Sequence, residues 1–229
     1  MTNTKGSDSM KITSISVQQN NPGRVNVAID GSYSFSLTIP QLANYSLKVD
    51  QVLSGEKLEL LKSESEFGKL YTRALDFCLI RPRSKKEVRD YLSRKAIDRR
   101  YKDRNSGELR TRPGISQSIL DRVFTELVSK GYLDDVKFTK LWIENRNIKK
   151  GTSLRKLRSE LIAKGVAGSI IDDQFSQSTR DDLSELQKVI RKKYYKYEDK
   201  QKLVQYLARN GFGYDDIKDT IKEFQSNLT

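Results

Sequence analysis

The sequence predicts a mainly α protein, in which three tandem three-helix repeats form an elongated curved rod after a small β-containing N-terminal domain. Two patterns carry this prediction. From about residue 70 onward, apolar residues recur at three- and four-residue spacing, as in helices, whereas residues 11–37 alternate between apolar and polar, as in strands. The helical segments also repeat one another, which is the signature of a helical array.

The first 66 residues divide into a tail and a small domain. Residues 1–9 are polar and small, which favours a disordered tail or a tag remnant. Residues 10–66 are expected to form a β-hairpin and helix domain. Its three predicted strands contain the apolar sets Ile12, Ile15 and Val17, then Val25, Val27 and Ile29, then Tyr33, Phe35 and Leu37.

Turn and breaker residues delimit this domain. Asp30-Gly31 favours positive φ and predicts a hairpin turn between the second and third strands, although Ser32 leaves the loop length open. Pro40 ends the sheet. Helices are expected over residues 42–47 and 54–66, where they cover the apolar face of the sheet. The domain is either a docking module for a partner or a simple amino-terminal cap, and the sequence favours neither.

The first repeat covers residues 67–133 and is longer than the others. Leu161 and Leu207 occupy equivalent places 46 residues apart (207 − 161), whereas Leu92 and Leu161 are 69 apart (161 − 92). The first repeat therefore holds about 20 extra residues. This insert, residues 96–115, contains Asn-Ser-Gly and Arg-Pro-Gly breaks, and we expect either an exposed hairpin-like arm or a flexible loop.

The second repeat, residues 134–178, begins at a distinct junction. Gly131 ends the preceding helix, because glycine adopts the left-handed C-cap conformation without steric cost. Asp134 or Asp135 then caps the next helix. One face of that helix carries Phe138, Leu141, Trp142 and Asn145. Since three of these residues are apolar, the tryptophan is expected in the core of the repeat.

The third repeat, residues 179–229, follows the same plan. Its first helix carries the apolar stripe Leu183, Leu186, Ile190, Tyr194 and Tyr197. The two tyrosines of this stripe are therefore expected in the core. Tyr195 instead shares the outer face with basic residues and is the stacking or interface candidate of this repeat.

Residue usage argues against catalysis. The chain has no histidine and one cysteine, so it lacks the usual general base, the commonest metal ligand and any internal disulfide. Adjacent aspartate pairs lie near predicted helix starts, where capping explains them. No glycine-rich phosphate loop follows a strand, and Cys78 is expected to be a packing residue. We therefore expect a protein that is not an enzyme and needs no metal and no cofactor.

The charge is unevenly distributed along the chain. Lys and Arg number 43 against 30 Asp and Glu, for a net charge of +13. Residues 1–66 carry 6 basic and 7 acidic side chains, whereas residues 67–229 carry 37 and 23, so the repeats hold the whole excess. A polyanion or an acidic surface fits this excess, although solubility alone would also explain it. No apolar run is long enough to cross a membrane and no signal peptide is evident, which predicts a cytoplasmic protein. We separately expect it to be a monomer.

Basic side chains form three clusters, and two arginines stand before a predicted capping box at Ser84 and Glu87. The insert and its approach contribute Arg94, Lys95, Arg99, Arg100, Lys102, Arg104, Arg110 and Arg112. The middle repeat contributes Lys149, Lys150, Arg155, Lys156 and Arg158, of which Arg155 and Arg158 are expected to point outward. The third repeat contributes Lys188, Arg191, Lys192 and Tyr195. Together with Arg81 and Arg83, these residues are the candidates for binding a polyanion such as DNA or an acidic partner surface.

Three segments resemble the RecX family of regulatory proteins. Its first-repeat motif is similar to Arg81-Pro82-Arg83-Ser84 with Glu87, Val88, Tyr91, Leu92 and Lys95. Its most distinctive motif is similar to Gly131-Tyr132-Leu133-Asp134-Asp135 with Phe138, Trp142 and Arg146. The next motif matches Gly151, Leu154, Leu157, Glu160, Leu161, Lys164 and Gly165. The resemblance covers about Leu70 to Phe224, and the long basic insert departs from it.

The resemblance implies a non-catalytic regulator that binds the RecA–DNA filament along its groove and modulates its ATPase, strand exchange and assembly, with inhibition as the favoured sign. The implied partners are the RecA recombinase filament and, weakly and non-specifically, single- or double-stranded DNA, with no membrane. The alternative is a DNA-binding protein or transcriptional repressor, because three-helix units can place a helix in the major groove. Against this alternative, the third helices, such as residues 168–175, have few outward basic or amide side chains.

Overall fold

The computed structural model describes residues 10–103 and 106–227. The tail predicted for residues 1–9 and the candidate Arg104 of the insert lie outside these ranges. The described chain divides into two compact units. The first unit comprises residues 10–77 and Tyr91–Ser129, and the second comprises Cys78–Asp90 and residues 130–227.

A four-stranded antiparallel sheet lies in the first unit. Its strands are β1 (Met10–Gln18), β2 (Asn21–Ile29), β3 (Ser32–Thr38) and β4 (Val52–Leu53), in the order β3-β2-β1-β4. Asp30 and Gly31 both have positive φ, and Ile29 pairs directly with Ser32, so the hairpin loop has two residues. The three predicted strands and their turn are confirmed, whereas the short β4 was not predicted.

Two helices follow the sheet. In α1 (Ile39–Asn44), Thr38 and Gln41 form a capping box at the start. In α2 (Gly55–Ile80), 26 residues form one helix, so the boundary predicted at residue 66 falls within it. Sheet and helix share an apolar core that includes Ile12, Val27, Phe35, Leu37 and Leu61. This packing covers the apolar face of the sheet, as the sequence predicted.

The remaining helices follow in the predicted order. They are α3 (Lys85–Ser93), α4 (Gln117–Ser129), α5 (Asp135–Asn145), α6 (Leu154–Ala163), α7 (Gly168–Ser176), α8 (Asp182–Lys193), α9 (Lys200–Arg209) and α10 (Tyr214–Ser226), with a 3-10 turn at Tyr194–Lys196. Successive sets of three, beginning with α2, α5 and α8, correspond to the three predicted repeats. Within the described ranges, no helix combines the length and apolar character needed to cross a bilayer.

The insert forms a two-stranded antiparallel hairpin. In it, β5 (Arg99–Lys102) pairs with β6 (Leu109–Arg112), and every residue of both strands is exposed. The Ile115 N–H donates to the Lys95 carbonyl at 2.9 Å, and the Gly114 N–H donates to the Asp98 carboxylate at 2.8 Å. Of the two alternatives that the sequence left open, the structure therefore shows the hairpin-like arm.

Left-handed glycines follow the ends of three helices: Gly131 follows α4, the third helix of its repeat, whereas Gly165 and Gly211 follow α6 and α9, the second helices of theirs. Gly131 has a φ of 74°, as its predicted C-cap role requires, and Gly165 and Gly211 have φ values of 77° and 92°. Asp134 caps α5, because its carboxylate accepts from the N–H groups of Val136 and Lys137. The sequence had left open which of Asp134 and Asp135 caps this helix. Asp135 does not cap it and instead accepts from the Lys85 N–H.

Two apolar clusters of described residues lie in the second unit. One includes Phe138, Ile143, Leu161, Val166 and Ile171, and the other includes Leu186, Ile190, Tyr194, Leu203 and Ile217. The prediction that Trp142 belongs to the core is wrong, because the buried face of α5 runs through Phe138, Thr139 and Ile143 and leaves Trp142 half-buried. The prediction that Leu183 belongs to the apolar stripe of α8 is also wrong, because Leu183 is exposed. Glu185, although charged, is buried on the core face of this helix.

Candidate functional site

The first junction between repeats in the second unit lies where α3 begins. The Ser84 hydroxyl donates to the Lys164 carbonyl at 2.7 Å, and the Lys85 N–H donates to the Asp135 carboxylate at 2.9 Å. Ser84 and Glu87 also exchange the reciprocal hydrogen bonds of the predicted capping box. Ser84 therefore caps its own helix and joins that helix to the next repeat.

The second junction repeats this arrangement. The Ser153 hydroxyl donates to the Asn210 carbonyl at 2.5 Å, and the Leu154 N–H donates to the Asp182 carboxylate at 2.7 Å. Ser153 also caps α6 by accepting from the Lys156 N–H. In both aspartate pairs, residues 134–135 and 181–182, the first residue caps its own helix and the second accepts from the helix of the preceding repeat.

Glu87 carries the ion pairs of the first junction. Its carboxylate lies 2.8 Å from both Arg81 and Lys164. Partial burial raises the pKa of this carboxyl, but hydrogen bonds from Arg81, Lys164 and the Ser84 backbone outweigh burial and lower the pKa to about 2. Arg81, a predicted binding residue, is thus held against its own repeat. Arg83 is half-buried, and burial together with the charge of Arg81 lowers its pKa.

An apolar groove of about 330 Å³ lies at this junction. Its lining residues are Arg81, Pro82, Phe138, Leu141, Trp142, Asn145 and Arg146. The Trp142 indole N–H donates to the Glu160 carboxylate at 3.1 Å, and the Lys164 Nζ lies 4.6 Å from the ring centroid. Trp142 therefore lines the groove, with one part of its ring packed against the core and another part exposed to solvent.

The hairpin of the insert presents basic residues on both faces. Arg99 pairs across the strands with Arg112, and Tyr101 pairs with Arg110 on the same face. Like charges directly opposite each other destabilise a hairpin, by up to about 1 kcal/mol per pair. Arg110 is partly neutralised by Asp103 at 3.2 Å and Glu108 at 3.8 Å. The Arg99–Arg112 pair is thus an unfavourable contact that a bound anion would relieve.

The approach to the hairpin contains Arg94 and Lys95. Arg94 is exposed, whereas Lys95 is half-buried with its Nζ 4.6 Å from the centroid of the Tyr91 ring. Burial lowers the pKa of Lys95, and the nearby charges of Arg99, Arg73 and Arg94 lower it further. The insert cluster therefore concentrates positive charge in the first unit. The candidate binding residues outside this cluster all belong to the second unit.

The middle cluster is only partly available to a partner. Lys149, Lys150, Arg155 and Lys156 are exposed. Arg158 forms an ion pair with Asp172 of α7, and this hydrogen bond raises the pKa of Arg158 and lowers that of Asp172. Arg158 therefore connects α6 to α7 instead of projecting freely.

A buried ionic network lies under the third cluster. Glu185 accepts from Arg180 and Lys188 at 2.7 Å each and from the Thr152 N–H at 2.8 Å. Burial raises the pKa of Glu185, but these hydrogen bonds lower it overall. Lys188 is thus part of the internal network, whereas Arg191, Lys192 and Tyr195 are exposed, the last by 71%.

Five lysines converge at the second junction. A cavity of about 480 Å³ is lined by Lys150, Lys156, Lys192, Lys193 and Lys196, together with Asn147, Gly151, Thr152, Val189, Tyr206, Asn210 and Phe212. We call it the lysine cavity. Three of its lysines were candidates from the sequence. Lys193 and Lys196 were not among the candidates, although Lys193 directly follows Lys192 and Lys196 comes three residues later.

Comparisons with known proteins point to one family. The family model for the regulatory protein RecX N-terminal domain matches residues 10–54, and that for the RecX third three-helix domain matches residues 180–221. The regulatory protein RecX of Listeria monocytogenes serotype 4b is 31% identical, over 93% of this chain and 97% of its own length. That of Clostridium botulinum is 26% identical, over 93% and 95%.

Solved structures share the fold. A crystal structure of a regulatory protein RecX superposes with a TM-score of 0.65 at 20% identity, covering 92% of this chain and 99% of the other. A crystal structure of RecX from Lactobacillus salivarius gives a TM-score of 0.51 at 18% identity, covering 70% and 97%. The repeat architecture is therefore common to these proteins.

Proposed function

This chain belongs to the RecX family of regulatory proteins, and on that premise we propose that it binds the RecA–DNA filament along its groove, without catalysis of its own, in the cytoplasm. Binding would inhibit the ATPase, the strand exchange and the assembly of the filament. The observation that carries the proposal is the exposed basic surface of the repeats. Arg99, Arg100, Lys102 and Arg112 supply it in the first unit, and Lys150, Arg155, Arg191 and Lys192 supply it in the second.

Electrostatics gives this surface a physical role. A filament groove is polyanionic where DNA lies in it, so basic residues attract the chain and raise its rate of association. Inhibition requires, in addition, that the chain bind one state of the filament more tightly than the others, because a ligand shifts an equilibrium only by its differential affinity. The repeats would supply this difference by touching adjacent RecA protomers whose spacing depends on the state of the filament.

The alternative, a sequence-specific repressor, finds no support in the third helices. Of these, α7 has Asp172 and Asp173 and no basic residue, and the two lysines of α10 are outnumbered by four acidic residues. Recognition helices in the major groove need basic and amide side chains that reach the base edges. Acidic third helices would be repelled by the DNA backbone instead.

The direct test is the ATPase of RecA on single-stranded DNA, measured with and without this chain. The expected result is a decrease that saturates with the concentration of the chain and weakens as salt rises. An unchanged ATPase at saturating protein would contradict the proposal. Binding to naked duplex separates the alternative, because a repressor retains sequence preference, whereas a filament regulator binds duplexes weakly and non-specifically.

A further inference from the structure

The two junctions of the second unit have grooves at equivalent places but with different chemistry. Asp182 follows Asp135 by 47 residues (182 − 135), and both accept the same type of hydrogen bond. The same step of 47 relates three residues of the apolar groove to three of the lysine cavity: Trp142 to Val189, Asn145 to Lys192, and Arg146 to Lys193. The repeat therefore provides the concave shape, and the side chains decide what each groove can bind.

The lysines of the cavity come from three separate segments. Lys150 lies in the loop before α6, Lys156 lies in the first turn of α6, and the other three follow one another through the end of α8 and the 3-10 turn. None of the described residues that line the cavity is acidic. Among the described residues, none of the five lysines forms an ion pair with a carboxylate. Within the described part of the chain, no carboxylate therefore neutralises these lysines by an ion pair.

The neutral partners of these lysines hold them in place without removing the charge. The Lys156 Nζ donates to the Asn210 side-chain oxygen at 2.7 Å, and the Lys192 Nζ donates to the Lys149 carbonyl. The Lys193 Nζ lies 5.5 Å from the centroid of the Tyr206 ring. These acceptors are neutral, so the three contacts leave the positive charges of Lys156, Lys192 and Lys193 in place.

Helix electrostatics explains only part of this arrangement. Lys192 and Lys193 lie in the last turn of α8, where cations are favourable next to the negative end of the helix dipole. Lys156, however, lies in the first turn of α6, where the dipole disfavours a cation. The helix dipoles also do not account for Lys150, which lies in a loop, or for the convergence of all five charges. A bound anion would account for both.

We propose that the lysine cavity binds phosphate groups, with room for two phosphates joined through a sugar or an anhydride. Lysine is a compact point charge that suits phosphate, and the cavity adds amide groups from Asn147 and Asn210 and a hydroxyl from Thr152. The phosphates come either from a DNA strand or from a free nucleotide. This inference deepens the proposed function, since a filament groove offers both sources.

The test uses the full chain with Lys193→Gln and Lys196→Gln combined, and two probes: fluorescein-labelled oligo-deoxythymidine and inorganic pyrophosphate. The control combines Lys218→Gln and Lys222→Gln on α10, which removes the same charge outside the cavity. In the cavity variant, oligonucleotide affinity should fall at least about tenfold, and the magnitude of the slope of log K against log salt should fall by about 0.7 per lysine, the value for single strands. An equal loss in the control variant would overturn the inference, because bulk charge would then explain it.

Protection of lysines from acetylation, read by mass spectrometry on the unaltered chain, locates the site without a variant. Lys193 and Lys196 should be protected by the oligonucleotide, and protection by pyrophosphate at equal concentration would assign the source to free phosphate. Protection by poly-glutamate but by neither phosphate probe would overturn the inference.

The RecA ATPase separates this inference from the proposed function. If the chain inhibits the ATPase but the cavity binds no phosphate probe, the inference fails alone. If the cavity binds phosphate and the ATPase is unaffected, the proposed function fails and the site stands.

Discussion

The Asp182 carboxylate accepts a hydrogen bond from the Leu154 N–H at 2.7 Å, across the junction between two repeats. Burial raises the pKa of this carboxyl, and the Leu154 N–H counters only part of that effect. The equivalent bond joins Asp135 to the Lys85 N–H, 50 residues earlier in the chain. In both cases the second helix of a repeat begins at an N–H group whose acceptor lies in the following repeat. The stability of each helix start should therefore depend on that following repeat.

The first prediction concerns Ser153→Ala. The alanine removes the N-cap acceptor for the Lys156 N–H and leaves the Asn210 carbonyl without its donor, so the free energy of unfolding should fall by about 1–3 kcal/mol. Urea denaturation followed by circular dichroism measures it. Ser159→Ala is the matched control, because the Ser159 hydroxyl on the same helix is exposed, and it should change stability by less than about 0.5 kcal/mol. Similar losses for the two variants would contradict the junction role.

The second prediction concerns the pH dependence from Glu87. Its pKa in the folded state, about 2, is below the unfolded value of about 4.3, so its contribution is present above the unfolded pKa and is lost as pH falls toward 2. Glu87→Gln should therefore destabilise the protein at pH 7, by at most about 3 kcal/mol, and much less near pH 2. Urea denaturation across pH 2–7 tests this. Glu59→Gln, at an exposed pair with Lys62, is the control and should change the free energy of unfolding at pH 7 by less than about 1 kcal/mol.

The third prediction compares neighbouring residues of α5. Ile143 is 1% exposed, whereas Trp142 is half-buried at the groove, so Ile143→Ala should cost about 2–5 kcal/mol and Trp142→Ala only about 1–3. Thermal and urea unfolding by circular dichroism avoid reliance on tryptophan fluorescence. A larger cost for Trp142→Ala would restore the core role that its sequence spacing predicted.

The fourth prediction separates the fold of the hairpin from its charge. Arg112→Glu places a carboxylate opposite Arg99, so the cross-strand pair becomes attractive and the hairpin should gain roughly 0.2–1 kcal/mol. Binding to the RecA–DNA filament should nevertheless weaken, because a basic residue has become acidic. Amide hydrogen exchange of β5 and β6 and fluorescence anisotropy of filament binding give the two readouts. Tighter filament binding by this variant would mean that hairpin order, not charge, governs the interaction.

The fifth prediction concerns the exposed arginines of the second unit. Arg155→Glu combined with Arg191→Glu should weaken filament binding at least about tenfold, or about 1.4 kcal/mol, and the loss should shrink as salt rises. Arg158 is left unaltered, because its pairing with Asp172 would confound binding with stability. Lys218→Glu with Lys222→Glu is the control on α10. Equal losses in the two variants would show that net charge alone matters.

The sequence predicted the helices and strands well, because their signals are local. Period-two alternation placed β1 to β3, Asp30-Gly31 placed the turn, and glycine stops placed the helix ends. The buried face of α5 was less accessible to this reasoning. Phe138 is shared by two possible helical stripes, one through Trp142 and one through Ile143, and only the neighbouring helices decide which stripe is buried.

The ionic partners could not be predicted, because they depend on residues distant in the sequence. Arg122 donates to Glu64 across 58 residues, and Lys164 donates to Glu87 across 77. The Arg180–Glu185 pair is short-range, but both side chains are buried, and sequence reasoning places charged residues at the surface by default. The sequence therefore showed that Lys188 and Arg158 belong to basic clusters. It did not show that Lys188 pairs with Glu185 or that Arg158 pairs with Asp172.

The shared caps also impose an order on biosynthesis. Ser84 leaves the ribosome 80 residues before its acceptor Lys164, and Ser153 leaves 57 residues before Asn210. At typical rates of translation the first interval lasts roughly 4–16 s, far longer than a helix needs to form. During that interval the start of α3 is held only by its own capping box of Ser84 and Glu87, because the Ser84 hydroxyl still lacks its acceptor in the next repeat. Each repeat is thus completed by the one translated after it, and the nascent chain matures in one direction.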